Sequence, residues 1–348
     1  MSTVLDQRLR QVLQAVICDY IETAEPVGSR SVAKRYRLGL SPATIRNTMA
    51  DLEEMGYLSQ PHPSAGRLPT DKAYRLYVDK LEGEEDRSCA EVVRMRQHYS
   101  EPQGEAERLM EQTSIRLSGL SRMTGVLLAP PLGRTYLARL ELIPLSRDRA
   151  LAAVITDAGW VTTQTLSVEP ATAPEDLREL GRHLTRRFRG KTFQEILDEG
   201  IAPADPLDPL WTQTGGLVDQ VLSLFRTRTL YVSGATNILD HPELCDIETM
   251  RTLLRTFEEK ARLIELLSER ARESGVQVMI GHENPCEEMW ECSLVTSTYT
   301  YRDHVLGSLG VVGPKRMPYE KVIALVEETA RLVSQALSRH RRELYLPS

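Results

Sequence analysis

The amino-acid sequence predicts a multidomain α+β protein, with a small helical module closed by a β-hairpin, then an α+β domain interrupted by a second module. Three observations carry this reading. The first eighty residues hold three helix-length segments followed by two strand-length ones around a proline- and glycine-rich turn. Beyond residue 104, strand-like segments fall into two groups separated by a helical, proline-punctuated stretch, the order expected when one unit is inserted into another. At 348 residues the chain also has room for two or three domains of roughly 100–200 residues each.

In the first segment, Leu9, Val12, Leu13, Val16, Ile17 and Tyr20 recur at helical spacing, which predicts an amphipathic helix from Leu5 to Thr23 that stops at Glu25-Pro26. A second short helix starts near Ser29 or Ser31, turns Val32, Ala33 and Tyr36 inward, and ends at Leu38-Gly39, where glycine suits a left-handed cap. Ser41-Pro42 then opens a third helix to about Met55, because a serine hydroxyl caps free N–H groups and proline suits the first helical position. On that helix Ile45, Met49 and Leu52 share one side, and Ala43, Arg46, Asn47 and Ala50 the other. Residues 57 to 60 and 67 to 70 are strand-like, around the turn 61 to 66. Three helices and a hairpin make a winged helix-turn-helix, although a packing module without nucleic acid has the same pattern.

The net charge of −6 is unevenly spread: residues 1 to 80 carry 11 basic and 9 acidic side chains, so the excess of acid lies downstream. From Pro26 to Ala50 there are Arg30, Lys34, Arg35, Arg37 and Arg46 and no acid. A basic face suits a phosphate backbone, and by charge alone it equally suits a solvated helix. The third helix adds chemistry to charge. Small residues such as Ala43 permit close approach to a major groove, Arg46 can bind the O6/N7 edge of guanine, and Asn47 the N6/N7 edge of adenine. Arg30, Ser31, Lys34, Arg35, Ser41 and Thr44, with His62 and Arg67 on the hairpin, complete the candidate DNA-binding set.

The string EPVGSRSVAKRYRLGLSPATIRNTMADLEEMGYLSQPHPSAGRLPTDKAYRLYVD (25 to 79) closely resembles the N-terminal region of HrcA, the bacterial heat-inducible transcription repressor family. The resemblance runs along the chain through SGATNILDHPE, CSLVTSTY and LGSLGVVGPKRMPY, and is strongest in the first eighty residues. It implies a repressor that binds double-stranded DNA at an inverted-repeat CIRCE operator as a homodimer, upstream of chaperone operons, with activity that depends on the GroEL chaperonin. It also implies that the downstream fold is a GAF-like α+β domain carrying an inserted dimerising module.

Residues 1–80 are expected to form the winged helix-turn-helix and 81–104 a charged linker with one short helix. Residues 105–168 and 230–348 form the GAF-like domain, and 169–229 the inserted dimerising module. The expected elements are a helix from Glu105 to Leu120, strands at 124–129, 135–143, 150–156 and 160–168 with a turn at 157–159, then strands at 230–233, 276–280, 293–301 and 306–312. One long helix is expected at Ile247–Arg272 and another at Pro318–Arg342. Dimerisation is expected on the apolar lines Leu177, Leu180, Leu184, Phe188 and Leu217, Val221, Leu222, Phe225, which packing into a module core would explain equally well.

Other classes find little support. No apolar run approaches the roughly 18 residues of a membrane span, and the N-terminal stretch lacks a signal-type cleavage site, so a cytoplasmic protein with no membrane partner is expected. Five cysteines without a C-x-x-C pair argue against disulfides and zinc ribbons. His282, Glu283, Cys286 and Cys292 fit no closed metal site, and Gly307, Gly310 and Gly313 have the wrong spacing for a dinucleotide loop, so no metal or cofactor is expected. A second basic cluster, Arg182, Arg186, Arg187, Arg189 and Lys191, fits a helix C-terminus, where the dipole favours cations. No nucleophile elbow, phosphate loop or H-E-x-x-H supports an enzyme. The alternative function is a winged-helix regulator controlled by a small molecule bound to the GAF-like domain.

Overall fold

The computed structural model describes residues 5–63, 65–81, 89–99, 106–130, 135–157, 160–170, 172–199, 217, 220–221, 229–271, 273, 275–301 and 304–344. The chain begins with α1 (Gln7–Thr23), capped where the Asp6 carboxylate accepts the Leu9 N–H at 2.7 Å. Its inward line is the one the periodicity predicts: Leu9, Val12, Leu13, Val16 and Ile17 are buried. Ala24, at φ 58°, turns the chain out of the helix. Next come α2 (Ser29–Arg35), α3 (Pro42–Glu54), β1 (Leu58–Ser59), β2 (Leu68–Pro69) and α4 (Asp71–Leu81). The second helix is shorter than expected: it closes at Arg35 with Tyr36 extended, and Gly39, at φ +70°, serves the turn into α3 rather than a helix cap. The hairpin pairs Leu58 with Pro69, and Val27 adds a bridge to Arg67.

The stretch 81–104, expected as a linker with one short helix, holds that helix packed against the body. In α5 (Ala90–Tyr99) Val92, Met95 and Tyr99 are buried, and Arg96 Nε donates to Glu328 at 2.6 Å. After α6 (Ala106–Ser121), β3 (Thr124–Leu128) enters an antiparallel five-stranded sheet of order β7-β3-β10-β9-β8. Its other strands are β7 (Leu230–Ser233), β8 (Val276–Ile280), β9 (Cys292–Tyr301) and β10 (His304–Pro314). One face lies under α6 and the C-terminal α11 (Tyr319–Leu344), and α5 packs on those two helices. The other carries α9 (Ile247–Glu259) and α10 (Ala261–Arg270), with Leu253, Phe257, Leu263 and Leu267 buried against Val126, Leu128 and Leu294. The single long helix expected over 247–272 is therefore two. The break is at Lys260, left-handed at φ 53°, whose Nζ donates to the Leu230 carbonyl at 3.2 Å.

The largest departure from expectation concerns residues 137–167. Strands β4 (Leu137–Pro144), β5 (Arg149–Thr156) and β6 (Val161–Ser167) do not join the five-stranded sheet; they form their own, in the order β4-β5-β6. The helices α7 (Pro174–Phe188) and α8 (Phe193–Glu199) pack on it, and Leu140, Leu142, Val154, Leu166, Leu180, Leu184 and Phe193 make a separate core. Strands β4–β6 and helices α7 and α8 thus pack together apart from the five-stranded sheet, although 105–168 was expected to belong with 230–348. Helix α7 also covers the free edge of β4: Thr185 Oγ1 accepts from Leu140 N at 2.9 Å and donates to Leu140 O at 3.0 Å. Gly181 allows that approach, since a Cβ there would sit 3.2 Å from Leu142 N.

This unit corrects the assignment of Leu177, Leu180, Leu184 and Phe188 to a dimer contact: all four are buried in the module's own core with Leu217 and Val221. Leu222 and Phe225 lie outside the described residues. Leu184→Ala should therefore lower stability by about 2–5 kcal/mol, because it opens a cavity. Urea denaturation checks this; a variant of unchanged stability that dissociates would return Leu184 to a subunit surface.

The winged helix is seated on the five-stranded unit through α4. Arg75 Nε donates to Glu283 Oε1 at 2.8 Å, and Asp71 takes the His282 N–H at 3.1 Å, bonds the His282 Nδ1 at 2.7 Å and lies 3.5 Å from Lys315 Nζ. Burial would raise the Asp71 pKa, but the His282 hydrogen bonds and the Lys315 charge outweigh it and hold the carboxyl below its ordinary value. Gly281, at φ +52°, lies where a Cβ would meet Asp71 Oδ2 at 2.2 Å. Arg316 joins the same seam, donating to the Ile21 carbonyl at 2.6 Å and to Glu243 at 2.8 Å. His282 and Glu283, two of the four residues weighed above as metal ligands, thus hold α4, while Cys286 is buried near Glu288 and Cys292 is buried in β9.

Candidate nucleic-acid interface

The local sequence positions α3 from its first residue. Ser41 Oγ accepts the Thr44 N–H at 3.1 Å, Pro42 occupies the first turn, and Thr48 Oγ1 returns to the Thr44 carbonyl at 3.0 Å. Ile45, Met49 and Leu52 are buried, and Thr48 with them. The helix is thereby rotated so that Ala43, Arg46 and Asn47 are exposed. Neither Arg46 nor Asn47 has a side-chain partner among the described residues. A guanidinium and an amide without partners, on the open face of a rigidly seated helix, are groups ready to bond base edges.

The other candidate residues divide by what already holds them. Arg30 and Lys34 are exposed on α2, and His62 is exposed on the hairpin. Ser41 and Thr44 are engaged in the α3 cap, with their hydroxyl oxygens 2.9 Å apart. Ser31 Oγ donates to Asp19 Oδ2 at 3.0 Å, and Arg35 Nη1 to Asp19 Oδ1 at 2.7 Å. This hydrogen bond raises the Arg35 pKa above its ordinary value. Arg67 Nη2 lies 2.8 Å from Glu53 Oε2, with the Arg67 side chain only 18% exposed, so it ties the hairpin to the end of α3.

Asp19 is the residue that sequence reasoning missed. It is 3% exposed and stands among the inward residues of α1, where an acid on an apolar face is the available signal. Its two oxygens fix the angle between α1 and α2. Gln60 was missed too; its amide donates to the carbonyls of Pro63 and Ala65 and shapes the hairpin tip.

A helix-turn-helix with a hairpin wing and an exposed Arg/Asn face defines a winged-helix DNA-binding protein. Comparison with known proteins agrees and is more specific. The family described as "Winged helix-turn-helix transcription repressor, HrcA DNA-binding" matches residues 4–82, and "HrcA protein C terminal domain" matches 107–323. The chain is 41% identical over 343 residues to the heat-inducible transcription repressor HrcA of Geobacter sulfurreducens, covering 96% of this chain and 99% of that one. It is 36% identical over 348 residues to the same repressor of Acetivibrio thermocellus, with 96% and 99% covered. A crystal structure of a hypothetical protein at 2.2 Å resolution superposes with a TM-score of 0.69 at 25% identity, covering 97% of this chain and 100% of that one. The chain belongs to the HrcA family of heat-inducible transcription repressors.

Because Asp19 is buried and Arg30 is free, the two should respond oppositely to substitution. Asp19→Asn should lower stability by roughly 1–3 kcal/mol by unpairing Arg35 and weakening the Ser31 bond, and should weaken DNA binding although Asp19 faces no ligand. Arg30→Ala should stay within about 0.5 kcal/mol in stability. Chemical denaturation of both variants, beside a DNA titration, would contradict the division if Arg30→Ala were the less stable of the two.

Proposed function

We propose that the protein represses chaperone operons in the bacterial cytoplasm by binding, as a homodimer, an inverted-repeat operator of the CIRCE type. The observation that carries this is the exposed, unpartnered pair Arg46 and Asn47 on α3 in a chain of the HrcA family. In this reading Arg46 and Asn47 contact base edges, and Arg30, Lys34, Arg35, His62 and Arg67 contact phosphates or the minor groove. Ser31, Ser41 and Thr44 set the backbone against the DNA, and Ala43 allows the close approach. Dependence on the GroEL chaperonin rests on the family resemblance alone. The five-stranded unit is the GAF-like domain and the three-stranded unit, inserted between β3 and β7, the dimerising module.

Support for a dimer comes from the outer face of the three-stranded sheet. Strand register places Ile143 beside Leu151, and Ile155 beside Val161, on the side away from the module core. Ile143 and Val161 are 42% and 40% exposed, and neither they nor Leu151, Ala153 and Ile155 belong to a buried cluster. An inverted repeat needs two recognition helices related by a two-fold axis, and an isologous sheet-face contact supplies one.

Footprinting on the promoter of the organism's own chaperone operon tests the function, with protection over both half-sites expected. Arg46→Ala and Asn47→Ala should each remove about 1–3 kcal/mol of discrimination at one or two base pairs, with unchanged circular dichroism. Lys34→Ala should instead weaken binding to all sequences and lower the slope of log affinity against log salt by about 1. Wild-type affinity and base preference in both α3 variants would refute the assignment. For the dimer, Leu151→Asp should give a folded monomer in sedimentation at micromolar concentration and roughly 100-fold weaker operator binding; a persistent dimer would exclude this face.

A further inference from the structure

The seam between the winged helix and the five-stranded unit forms an open-sided cavity of about 530 Å3, within the range of small-molecule sites. Its walls come from both sides: Tyr20 of α1, the hairpin base and the start of α4 on one, and residues around β8 and the end of β10 on the other. One wall group is out of the ordinary. Tyr74 is 2% exposed, yet its hydroxyl has no hydrogen-bond partner, and burial pushes its pKa well above the usual value, so it stays a donor. An unpaired buried hydroxyl is destabilising and is retained most simply when something else bonds it.

The remaining lining shows which chemistry would do so. Three cations, Lys72, Lys315 and Arg316, face three carboxylates, Asp71, Glu243 and Glu291, so the charges balance. Arg316 and Glu243 hold each other, and Asp71 is held by His282. Groups that keep bonding capacity include the hydroxyls of Tyr74, Tyr20 and Ser59, the Lys72 and Lys315 ammonium groups, and Glu291, which is 3.1 Å from Lys315 with its side chain 55% exposed. Burial raises the Tyr20 pKa as well, which keeps it a donor. Donors stand beside one accessible acceptor, and a ligand of single charge would leave a net charge in a half-enclosed site.

We propose that this cavity binds a small zwitterion of the free amino-acid class, its carboxylate accepting from Tyr74, Tyr20 and Lys315 and its ammonium donating to Glu291. Such a ligand touches the head and the body at once, so it stabilises the docked position of α4 over any other. The ligand contact is independent of the DNA-binding reading; only its effect on operator affinity rests on that reading.

Titration calorimetry of the intact protein with each of the common L-amino acids, and with acetate, inorganic phosphate and methylammonium as single-charge controls, is the test. At least one amino acid should bind at one per chain, and the controls at least tenfold more weakly. Tyr74→Phe keeps the ring packing and removes the unpaired hydroxyl. It should unfold no earlier than wild type without ligand, while amino-acid binding weakens about tenfold; Lys315→Met should weaken it similarly. Binding of no amino acid, equal binding of a control, or unchanged binding in both variants would overturn the proposal. So would earlier unfolding of ligand-free Tyr74→Phe, since the hydroxyl would then have a structural partner. Operator titration with and without the ligand is a separate arm: an unchanged operator affinity with retained ligand binding would count against the regulatory consequence and leave the site standing.

Discussion

The DNA-binding head and the five-stranded unit share one hydrophobic core. Val12, Val16 and Ile17 of α1, Tyr74 and Val78 of α4, Leu127 and Val311 of the sheet and Tyr319 and Val326 of α11 belong to one buried cluster. Within it the Tyr74 and Tyr319 rings lie 5.9 Å apart between centroids. Around that contact, Asp71 pairs with His282 and Arg75 with Glu283 across the seam, and Arg316 reaches over it to the Ile21 carbonyl. Removing one member of such a half-buried pair leaves its partner uncompensated, so the network penalises undocking more than it adds to stability. A winged helix on a flexible tether could present α3 at any angle; this one presents it at the angle α4 dictates.

Much of the head was legible in sequence because its determinants are local. Ser41-Pro42 marks a helix start by chemistry contained in two residues, and the periodicity of α1 and α3 names the buried side directly. The body was less legible because its determinants are distant in sequence. Local sequence separates β3, five residues buried throughout, from β4, where Arg139 and Glu141 alternate with apolar residues, but it does not name their partners: β3 pairs with β7 and β10, β4 with β5. The amphipathic α7 shows the same limit. Leu177, Leu180, Leu184 and Phe188 say that one face is apolar, not whether it meets a sheet of the same chain or a second chain. The break at Lys260 also escaped notice, because a lysine carries no helix-breaking signal; its left-handed backbone is accompanied by a hydrogen bond to Leu230, thirty residues upstream.

Charge carried a subtler ambiguity. The basic residues from Arg30 to Arg46, with Arg67 on the hairpin, look alike in sequence but do two kinds of work. Arg35 closes α2 onto α1 through Asp19, and Arg67 fastens the hairpin to Glu53, whereas Arg30, Lys34 and Arg46 stand free. Sequence supplies the charge and not its partner, and the partner decides. A guanidinium already paired must exchange one bond for another when DNA arrives, so its net contribution to affinity is smaller than that of a free one. Positioning and contact are separable only where the internal partner is known.

The shared core has a further consequence for regulation. A two-state change in the body can reach α3 only if it alters the packing around Tyr74 and Tyr319 or the ion pairs beside them, since the described contacts run through that seam. Any effector acts by its difference in affinity between docked and displaced heads, and a group bound elsewhere with equal affinity for both would leave DNA binding unchanged. The head–body joint is thus where an input must be converted into a position of the recognition helix. The three-stranded unit keeps most of its apolar side chains in a core of its own and meets the body through Trp160 and the Tyr301 hydroxyl, which donates to Asp157, so assembly through that unit and control at the α4 seam draw on different contacts.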